Sequence, residues 1–458
     1  MSEAALGVDV GLSGVRATVV RDDGTLVATA RRQHRRGRLA AGIAEHDPRD
    51  WREGMAAAGG NAVAGAGDVR IRAVGVSAVG PAPVLVDAAL EPLTNAPLFG
   101  LDRRAEPQRH RMTETLGAEE AAGTLDNALP KLRWWQENEP ELAGRAAWAL
   151  DATGFLVASL TGVPVMDMVT AVDYQLPGID PPFTLPSPLD PLAVAGELGA
   201  GPAANLGLPA GLPVVAGTYD SFVDIAGAGV RRPGDAGIVL GSTMIVCRAA
   251  ETAQPQHGLG VSAYPGEGIL LGGWTLSGGL VLDWFRDNMG GGRSQAELAD
   301  AASSADTGGV VALPYLIGER TPLWDPGARG ALIGLNLDSG PQQVYRALVE
   351  SLAAVVRDHT DRIERVLGPC PAWRLTGGGT RNPLWVAATA DAVGAPLEVP
   401  AHAGEALGPA LLALRAMGFD PKRPTAATVE PDLNRTRHFE SMLPVFRQLP
   451  LLTKEVQL

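Results

Sequence analysis

The sequence predicts an α/β protein built as two related domains with a cleft between them, and three observations carry that reading. An apolar strand, a small-residue turn and a second apolar strand occur twice, as LGVDVGLSGVRATVV at Leu6 to Val20 and as GIVLGSTMIVCR at Gly237 to Arg248. Strand-like and helix-like segments alternate in both halves. The 458 residues are about three times the usual length of a single domain, enough for each copy of the repeat to have its own core. Arg231, Arg232, Pro233 and Gly234 interrupt the apolar pattern between the copies, which sets the expected domains at 1–232 and 233–458.

From the N-terminus, LGVDV, VRATVV, Thr25 to Thr29 after Asp22-Asp23-Gly24, and IRAVGVSAV read as sheet strands separated by turns. Helical spacing takes over from Pro130 to Leu160, with Leu132, Trp135, Trp148, Leu150, Phe155, Leu156 and Leu160 as candidate buried positions. Leu176 to Pro191 is proline-rich and reads as irregular surface chain. Leu212 to Ala216 is a short apolar strand that delivers the chain to Gly217-Thr218-Tyr219-Asp220, and the pattern SFVDIAGAGV that follows is helical. In the second half, Gln342 to Leu367 is the clearest helix, because Val344, Leu348, Leu352, Val355, Val356, Ile363, Val366 and Leu367 fall on one stripe. Asp338 or Ser339 can cap it, Pro341 suits its first turn and Gly368 closes it. Arg374 to Thr376 predicts a strand entering Gly377-Gly378-Gly379, and Pro383 to Val393 predicts a helix.

Composition excludes several classes. With 46% hydrophobic and 19% charged residues, 57 glycines and 36 prolines, the chain reads as a globular protein with many tight turns, not a disordered one. A net charge of −13 argues against general affinity for nucleic acid or anionic lipid, and the basic run Arg31 to Arg38 reads as a solvated loop. Cys247 and Cys370 have no CxxC or Cys/His spacing, so two buried free thiols are expected rather than a disulfide or zinc site. No signal peptide and no run of 18 apolar residues is seen, which makes the cytoplasm the default compartment and a membrane partner unexpected.

Chemistry concentrates in the turns. In the first repeat, Gly11 and Gly14 allow positive φ and close backbone approach, so that amides around Ser13 can converge on a phosphate. Asp9, at the end of the preceding strand, can hold the accompanying Mg²⁺ through water; a hairpin with a solvated Asp is the plain alternative. Asp220 ends a strand and opens a helix, which suits a general base taking a proton from a hydroxyl during phosphoryl transfer, or a simple N-cap. An ordinary carboxylate suffices if that proton leaves late. Gly377-Gly378-Gly379-Thr380-Arg381-Asn382 can lie flat against a nucleotide or form a tight structural turn, and neither a Walker A loop nor a GxGxxG fingerprint occurs. Leu313 to Leu335, with Glu319, Arg320, Asp325 and Arg329, reads as an ordered loop whose ion pairs satisfy one another. Asp102 and Arg104 offer an acceptor and a donor for sugar hydroxyls, or a surface ion pair, and Lys131 is either buried or solvated.

Together these segments resemble the FGGY family of carbohydrate kinases over nearly the whole chain. The resemblance is most specific in PYLIGERTPLWDPGARGALIGL followed by QQVYRALVE, and PKLRWWQENEPE, AGTYDSFVDIAGAG, LGSTMIV, LTGGGTRNPLW and EALGPALLAL support it in order. It implies two duplicated ribonuclease-H-like domains of the actin and hexokinase ATPase type, a sugar-binding N-terminal domain with the catalytic Asp and a nucleotide-binding C-terminal domain. It also implies MgATP-dependent phosphorylation of a ketopentose, xylulose-like, or a related polyol. By resemblance Asp220 is the base, and Asp9 with Asp220 lies nearest the Mg²⁺. Gly11 and Ser13 form the first phosphate turn, and Gly241, Ser242 and Thr243 the second. Gly377, Gly378, Gly379 and Asn382 form the nucleotide loop, and Asp102, Arg104, Thr218 and Tyr219 stand on the acceptor side. A homodimer is compatible with the resemblance, although no segment identifies an interface.

Three departures bear on activity and substrate, the first on phosphate contact and the other two on the sugar. The usual Gly-Thr-Ser or Gly-Thr-Thr turn is Gly11-Leu12-Ser13, Val79-Gly80-Pro81 stands where xylulokinases place Gln-Met-His, and Gly100-Leu101 replaces the Trp-Asn before the DxR segment. Phosphorylation of another ketose, a tetritol or a sugar acid is therefore an alternative, as is a sugar and nucleotide sensor with weakened catalysis.

Overall fold

The computed structural model describes residues 2–35, 38–40, 42–116, 128–176, 178–325, 327–423 and 425–454. Two compact units emerge: Met1–Gly227 with Ala263–Pro265 and Ala406–Arg423, and Ala228–Ser262 with Gly266–Glu405 and Pro424–Leu458. The expected division at 232/233 thus lies a few residues past the change of unit at Gly227, and no local signal marks Ala406–Arg423 as rejoining the first unit.

The first unit is built on a mixed sheet. Its strands are β1 (Ser2–Val10), β2 (Gly14–Arg21), β3 (Leu26–Gln33), β4 (Val69–Ala78), β5 (Val194–Glu197), β6 (Pro213–Val215) and the two-residue β7 (Thr218–Tyr219). They run in the order β5-β6-β4-β1-β2-β3, with β7 pairing β4 beyond β6. β1, β2 and β3 form an antiparallel meander, while β4 runs parallel to β1. Every residue of β1 from Ala4 onward is buried, as expected for a central strand covered on both faces. Helix Pro48–Gly65 covers one face with Trp51, Met55, Ala58 and Ala62. Helix Gly408–Ala416 covers the other, where Ala410, Leu411, Ala413 and Leu414 meet Ala5, Val20 and Ala73. That contact needs glycine in the sheet: a Cβ on Gly7 would lie 2.3 Å from the Ala410 amide nitrogen, and one on Gly75 would lie 2.0 Å from the Pro409 carbonyl oxygen.

The second unit repeats the plan. Its strands are β8 (Ala236–Leu240), β9 (Met244–Ala250), β10 (Gly260–Ser262), β11 (Ile269–Trp274), β12 (Trp373–Thr376), β13 (Leu397–Pro400) and β14 (Thr425–Val429), ordered β10-β11-β9-β8-β12-β13-β14. The β8/β9 hairpin has a parallel neighbour, β12, as β1/β2 has β4. Helix Pro341–Leu367 crosses this core with Tyr345, Leu348, Val349, Leu352, Val355, Val356 and Ile363 buried. It starts at Pro341 and closes at Gly368 (φ 78°) as expected, but Gly340 is its cap, with Gln343 accepting from the Gly340 amide at 3.1 Å, in place of Asp338 or Ser339. Helix Pro383–Val393 matches its expected span.

Elsewhere the local pattern misled. The stretch 130–160 is not continuous helix: Leu129–Asn138 and Ala152–Thr161 are helical, but Trp148–Leu150 is a strand paired with Val84–Val86, since three apolar residues fit a buried strand as well as a helix stripe. The basic run is not simply a solvated loop, because Arg31 to Gln33 complete β3, Arg32 pairs with Asp50 at 3.0 Å and Arg35 with Glu53 at 2.6 Å. Arg36, Gly37, Pro177 and Pro326, which fall within segments discussed above, lie outside the described residues. Both cysteines are buried free thiols, and among the described residues no helix is long and apolar enough to cross a membrane.

Candidate active site

Sheet register in the first unit decides what surrounds Asp9. Arg16 faces it across the β1/β2 hairpin and Ser77 stands beside it on β4. Arg16 Nη2 donates to Oδ2 and Ser77 Oγ to Oδ1, each at 2.8 Å, so the carboxylate is held at both ends and is only 1% exposed. Thr218 on β7 pairs with the same Ser77. At about 4.8 Å per strand spacing, the Asp9 and Thr218 backbones stand roughly 10 Å apart along one edge, and Asp220 follows two residues later.

Asp220 is the first residue of helix Asp220–Gly227, and its Oδ1 accepts from the Ser221 amide at 2.6 Å. That is the next residue's N–H, not the amide two or three further on that a capping carboxylate usually takes. Burial, reinforced by the negative charges of Asp9 and Asp224, pushes the Asp220 carboxyl well above the ordinary carboxylate range. This differs from the ordinary carboxylate expected from sequence. Asp224, one helical turn on, is raised by burial and by Asp9, with Arg16 and Arg423 opposing. Arg16 is itself held protonated chiefly by Asp9, while burial lowers Arg423 to about 10. Three carboxylates thus face two guanidiniums. Sequence reasoning missed Arg16, Asp224 and Arg423: cross-strand pairing with Asp9 signals the first, i+4 spacing from Asp220 the second, and nothing local the third.

The first turn closes through the Gly11 amide donating to the Gly14 carbonyl at 3.0 Å. Neither glycine adopts positive φ, contrary to expectation. Gly14 is required instead because a Cβ there would lie 2.5 Å from the Arg32 carbonyl oxygen of β3, whereas a Cβ on Gly11 would meet nothing nearer than 3.9 Å. His34, at the end of β3, reaches back to this turn, its amide donating to Ser13 O at 3.2 Å and its Nε2 lying 2.8 Å from Gly11 O.

On the expected acceptor side, Thr218 is buried and its carbonyl accepts from Thr153 Oγ1 at 3.2 Å. Tyr219 donates its hydroxyl to Asp173 at 2.8 Å, and its ring covers Gly80, where a Cβ would come within 1.9 Å of Cε1. Nearby, Asp151 accepts from the Ala82 amide at 2.9 Å and the Tyr174 hydroxyl at 2.7 Å, while burial pushes its carboxyl up to about 7. Asp102 and Arg104 belong to a separate buried network: Asp102 accepts from Ala44 N–H at 2.9 Å and from Arg104, which also pairs with Glu45 and lies over the Trp134 ring. Lys131 is buried and donates to the Pro97 carbonyl at 3.3 Å.

In the second unit, the Gly241-Ser242-Thr243 turn closes from Gly241 N–H to Thr243 O at 3.0 Å and leaves Ser242 exposed. The start of helix Gly279–Met289 supports it, with Gly279 N–H donating to Gly241 O at 2.8 Å and Leu280 N–H to Ser242 O at 3.1 Å. Gly377, at the end of β12, has φ 96°, and a Cβ there would lie 2.6 Å from the Leu240 carbonyl oxygen; one on Gly379 would strike Trp385 at 2.5 Å. Close packing therefore accounts for both glycines. Asn382 caps helix Pro383–Val393 by accepting from Trp385 N–H at 3.2 Å, and its amide donates to the Tyr345 hydroxyl at 3.1 Å. Glu319 is fully buried, accepts from the Leu276 and Arg320 amides and from Ser277 Oγ, and burial raises it to about 7.

Two α/β domains, each presenting a glycine-led hairpin turn, and half-buried carboxylates at a strand-to-helix junction fit a phosphotransferase of the actin and hexokinase ATPase type. The model of the FGGY N-terminal domain matches residues 4–180 and that of the C-terminal domain residues 236–417, so the chain belongs to the FGGY family of carbohydrate kinases. It is 26% identical over 449 residues to a xylulose kinase of Bacillus subtilis (strain 168), covering 90% of this chain and 88% of that one. It is 29% identical over 438 residues to a glycerol kinase of Gloeobacter violaceus, covering 87% and 85%. The structure superposes on xylulose kinase from Rhodospirillum rubrum with a TM-score of 0.83, 25% identity and 99% coverage of both chains. With gluconate kinase from Lactobacillus acidophilus the TM-score is 0.84, at 19% identity and 98% coverage of both, a likeness of fold. The chain is a carbohydrate kinase, of a family that uses ATP as its phosphoryl donor.

Proposed function

We propose that this kinase phosphorylates a terminal hydroxyl of a ketopentose or related polyol, xylulose-like, from MgATP, with Asp220 as the base. The observation that supports this most is the meeting of Asp220 with Asp9, Asp224 and Arg16 at one edge of the first sheet. Asp220, in its ionised form, accepts the hydroxyl proton as that oxygen bonds to the γ-phosphorus and the bond from the γ-phosphorus to the β,γ-bridging oxygen breaks, releasing ADP; its raised pKa favours the transfer of the proton to it. The first domain, through Thr218 and Tyr219 beside the base, holds the acceptor, with Asp102 and Arg104 in support. The second domain takes the nucleotide: amides of the Gly241-Ser242-Thr243 turn receive phosphate oxygens, and the Gly377–Gly379 segment with Asn382 shapes the nucleotide surface.

The excess of carboxylate over guanidinium fits a hard divalent cation, while both oxygens of Asp9 already accept hydrogen bonds and, among the described residues, no three ligating side chains form a direct cage. Asp9 and Asp220 would therefore hold Mg²⁺ through water, where it offsets phosphate charge. Tyr219 covering Gly80, where xylulokinases carry a sugar-contacting Gln-Met-His, favours testing acceptors other than D-xylulose alongside it.

The test is acceptor-dependent ADP release by the purified protein over D-xylulose, other ketopentoses, tetritols, glycerol and gluconate. Release with a ketopentose or polyol at least tenfold above the acceptor-free rate is expected. Saturable sugar binding with no acceptor-dependent release from any of them would replace the kinase reading with that of a sensor.

A further inference from the structure

We infer that His34 is a positioning residue for phosphoryl transfer, holding the first turn so that its amides face the phosphate, an inference that rests on the function proposed above. Gly11 O can only accept, so the Nε2 lying 2.8 Å from it carries the hydrogen. A trans peptide aims its C=O and N–H in opposite directions. Pinning the Gly11 carbonyl to His34 therefore turns the Leu12 N–H away from the ring. The His34 amide takes the Ser13 carbonyl, which anchors the far end of the turn to β3. Neither the Leu12 nor the Ser13 N–H finds a protein acceptor among the described residues, so both are left for an anion.

The second domain supports the assignment from within the same chain. There the turn carbonyls of Gly241 and Ser242 are also both occupied, by the amides of Gly279 and Leu280 at a helix start. The two turns share one device, the carbonyl of the leading glycine taken from behind so that the next amide faces forward, and where the second turn uses the Gly279 amide the first uses the His34 side chain. That side chain is built in. The His34 ring is 5% exposed, stands edge-on to His46 at 4.9 Å, and has Nδ1 3.6 Å from Asp50 Oδ2; His46 in turn accepts from Trp51 Nε1 at 3.2 Å. With Leu12 in place of a hydroxyl residue, amide orientation carries more of the phosphate contact in this turn.

Two variants separate positioning from bulk. His34→Phe keeps a ring but removes the donor, and His34→Gln restores an N–H at nearly the same reach. Measured with the acceptor found above, His34→Phe is expected to lower kcat at least tenfold with the acceptor KM within threefold, and His34→Gln to recover kcat to within threefold of the parent. A His34→Phe kcat within threefold of the parent, or equal loss in both variants, overturns the inference, whereas an inactive parent overturns the proposed function instead. On the unaltered protein, AMP-PNP with Mg²⁺ and acceptor is expected to slow deuterium uptake at the Leu12 and Ser13 amides. Unchanged uptake there, with slowing at Gly241–Thr243, overturns the inference even if His34→Phe does not fold.

Discussion

Gly75→Ala tests how the first domain is held together. The added Cβ would lie 2.0 Å from the Pro409 carbonyl oxygen, 2.8 Å from Pro409 C and 3.1 Å from Ala413 Cβ. Relief to an ordinary contact near 3.5 Å requires helix Gly408–Ala416 to lift by about 1.5 Å. The obstacle is main chain, which cannot rotate aside, and Ala410, Leu411 and Leu414 on that helix are all within 1% of full burial. Overpacking a well-filled core costs typically about 1–3 kcal/mol, and a rigid backbone obstacle places this case near the upper end. For a domain of this size that corresponds to a fall in Tm of roughly 6–12 °C. Scanning calorimetry at fixed pH measures it, with Gly201→Ala as control: Gly201 lies inside helix Ala200–Leu206 with nothing within 4 Å of its added Cβ, so that variant should be unchanged or stabilised by up to about 1 kcal/mol. A Gly75→Ala Tm within 2 °C of the parent would refute the packing of Ala406–Arg423 on the first sheet.

Arg16→Met removes the cation facing Asp9, Asp220 and Asp224. Because 28% of the Arg16 side chain remains exposed, a stability loss of about 1–3 kcal/mol by urea unfolding is expected rather than the full penalty of a broken buried pair, and the acid limb of the pH–rate profile, set by ionisation of the Asp220 base, should move to higher pH. Asp151, at about 7 in the folded protein and about 3.9 unfolded, keeps its proton on folding between those values. Its contribution to stability is therefore full below about pH 4 and lost as pH rises through 7, so Asp151→Asn should make stability fall less steeply between pH 5 and 7; an unchanged slope would contradict its burial as an acid.

Much of this was legible locally. The two hairpins follow from apolar segments joined by Gly11-Leu12-Ser13 and Gly241-Ser242-Thr243, and helices 341–367 and 383–393 follow from periodicity and proline placement. What sequence could not supply was long-range pairing. Asp9 stands out in the sequence, but its bond to Ser77 depends on a parallel neighbour reached only after helix Pro48–Gly65. Arg423 arrives near Asp224 from a segment that leaves and re-enters the domain. Asp102 and Arg104 read from sequence as sugar contacts or as a surface ion pair, because two charges two positions apart do not reveal that Glu45 and Ala44 close over them. At Gly377 and Gly379 the sequence leaves a nucleotide surface and a tight turn both open, and the structure adds that Leu240 and Trp385 require glycine there by packing.

The most direct measurement is the turnover of Asp220→Asn alongside its ATP affinity, with the acceptor that gives the fastest parent rate. The account predicts a loss of about 10²-fold or more in kcat, as expected for removing a general base, with the ATP dissociation constant within threefold of the parent. A loss below tenfold, under about 1.4 kcal/mol of barrier, would contradict it.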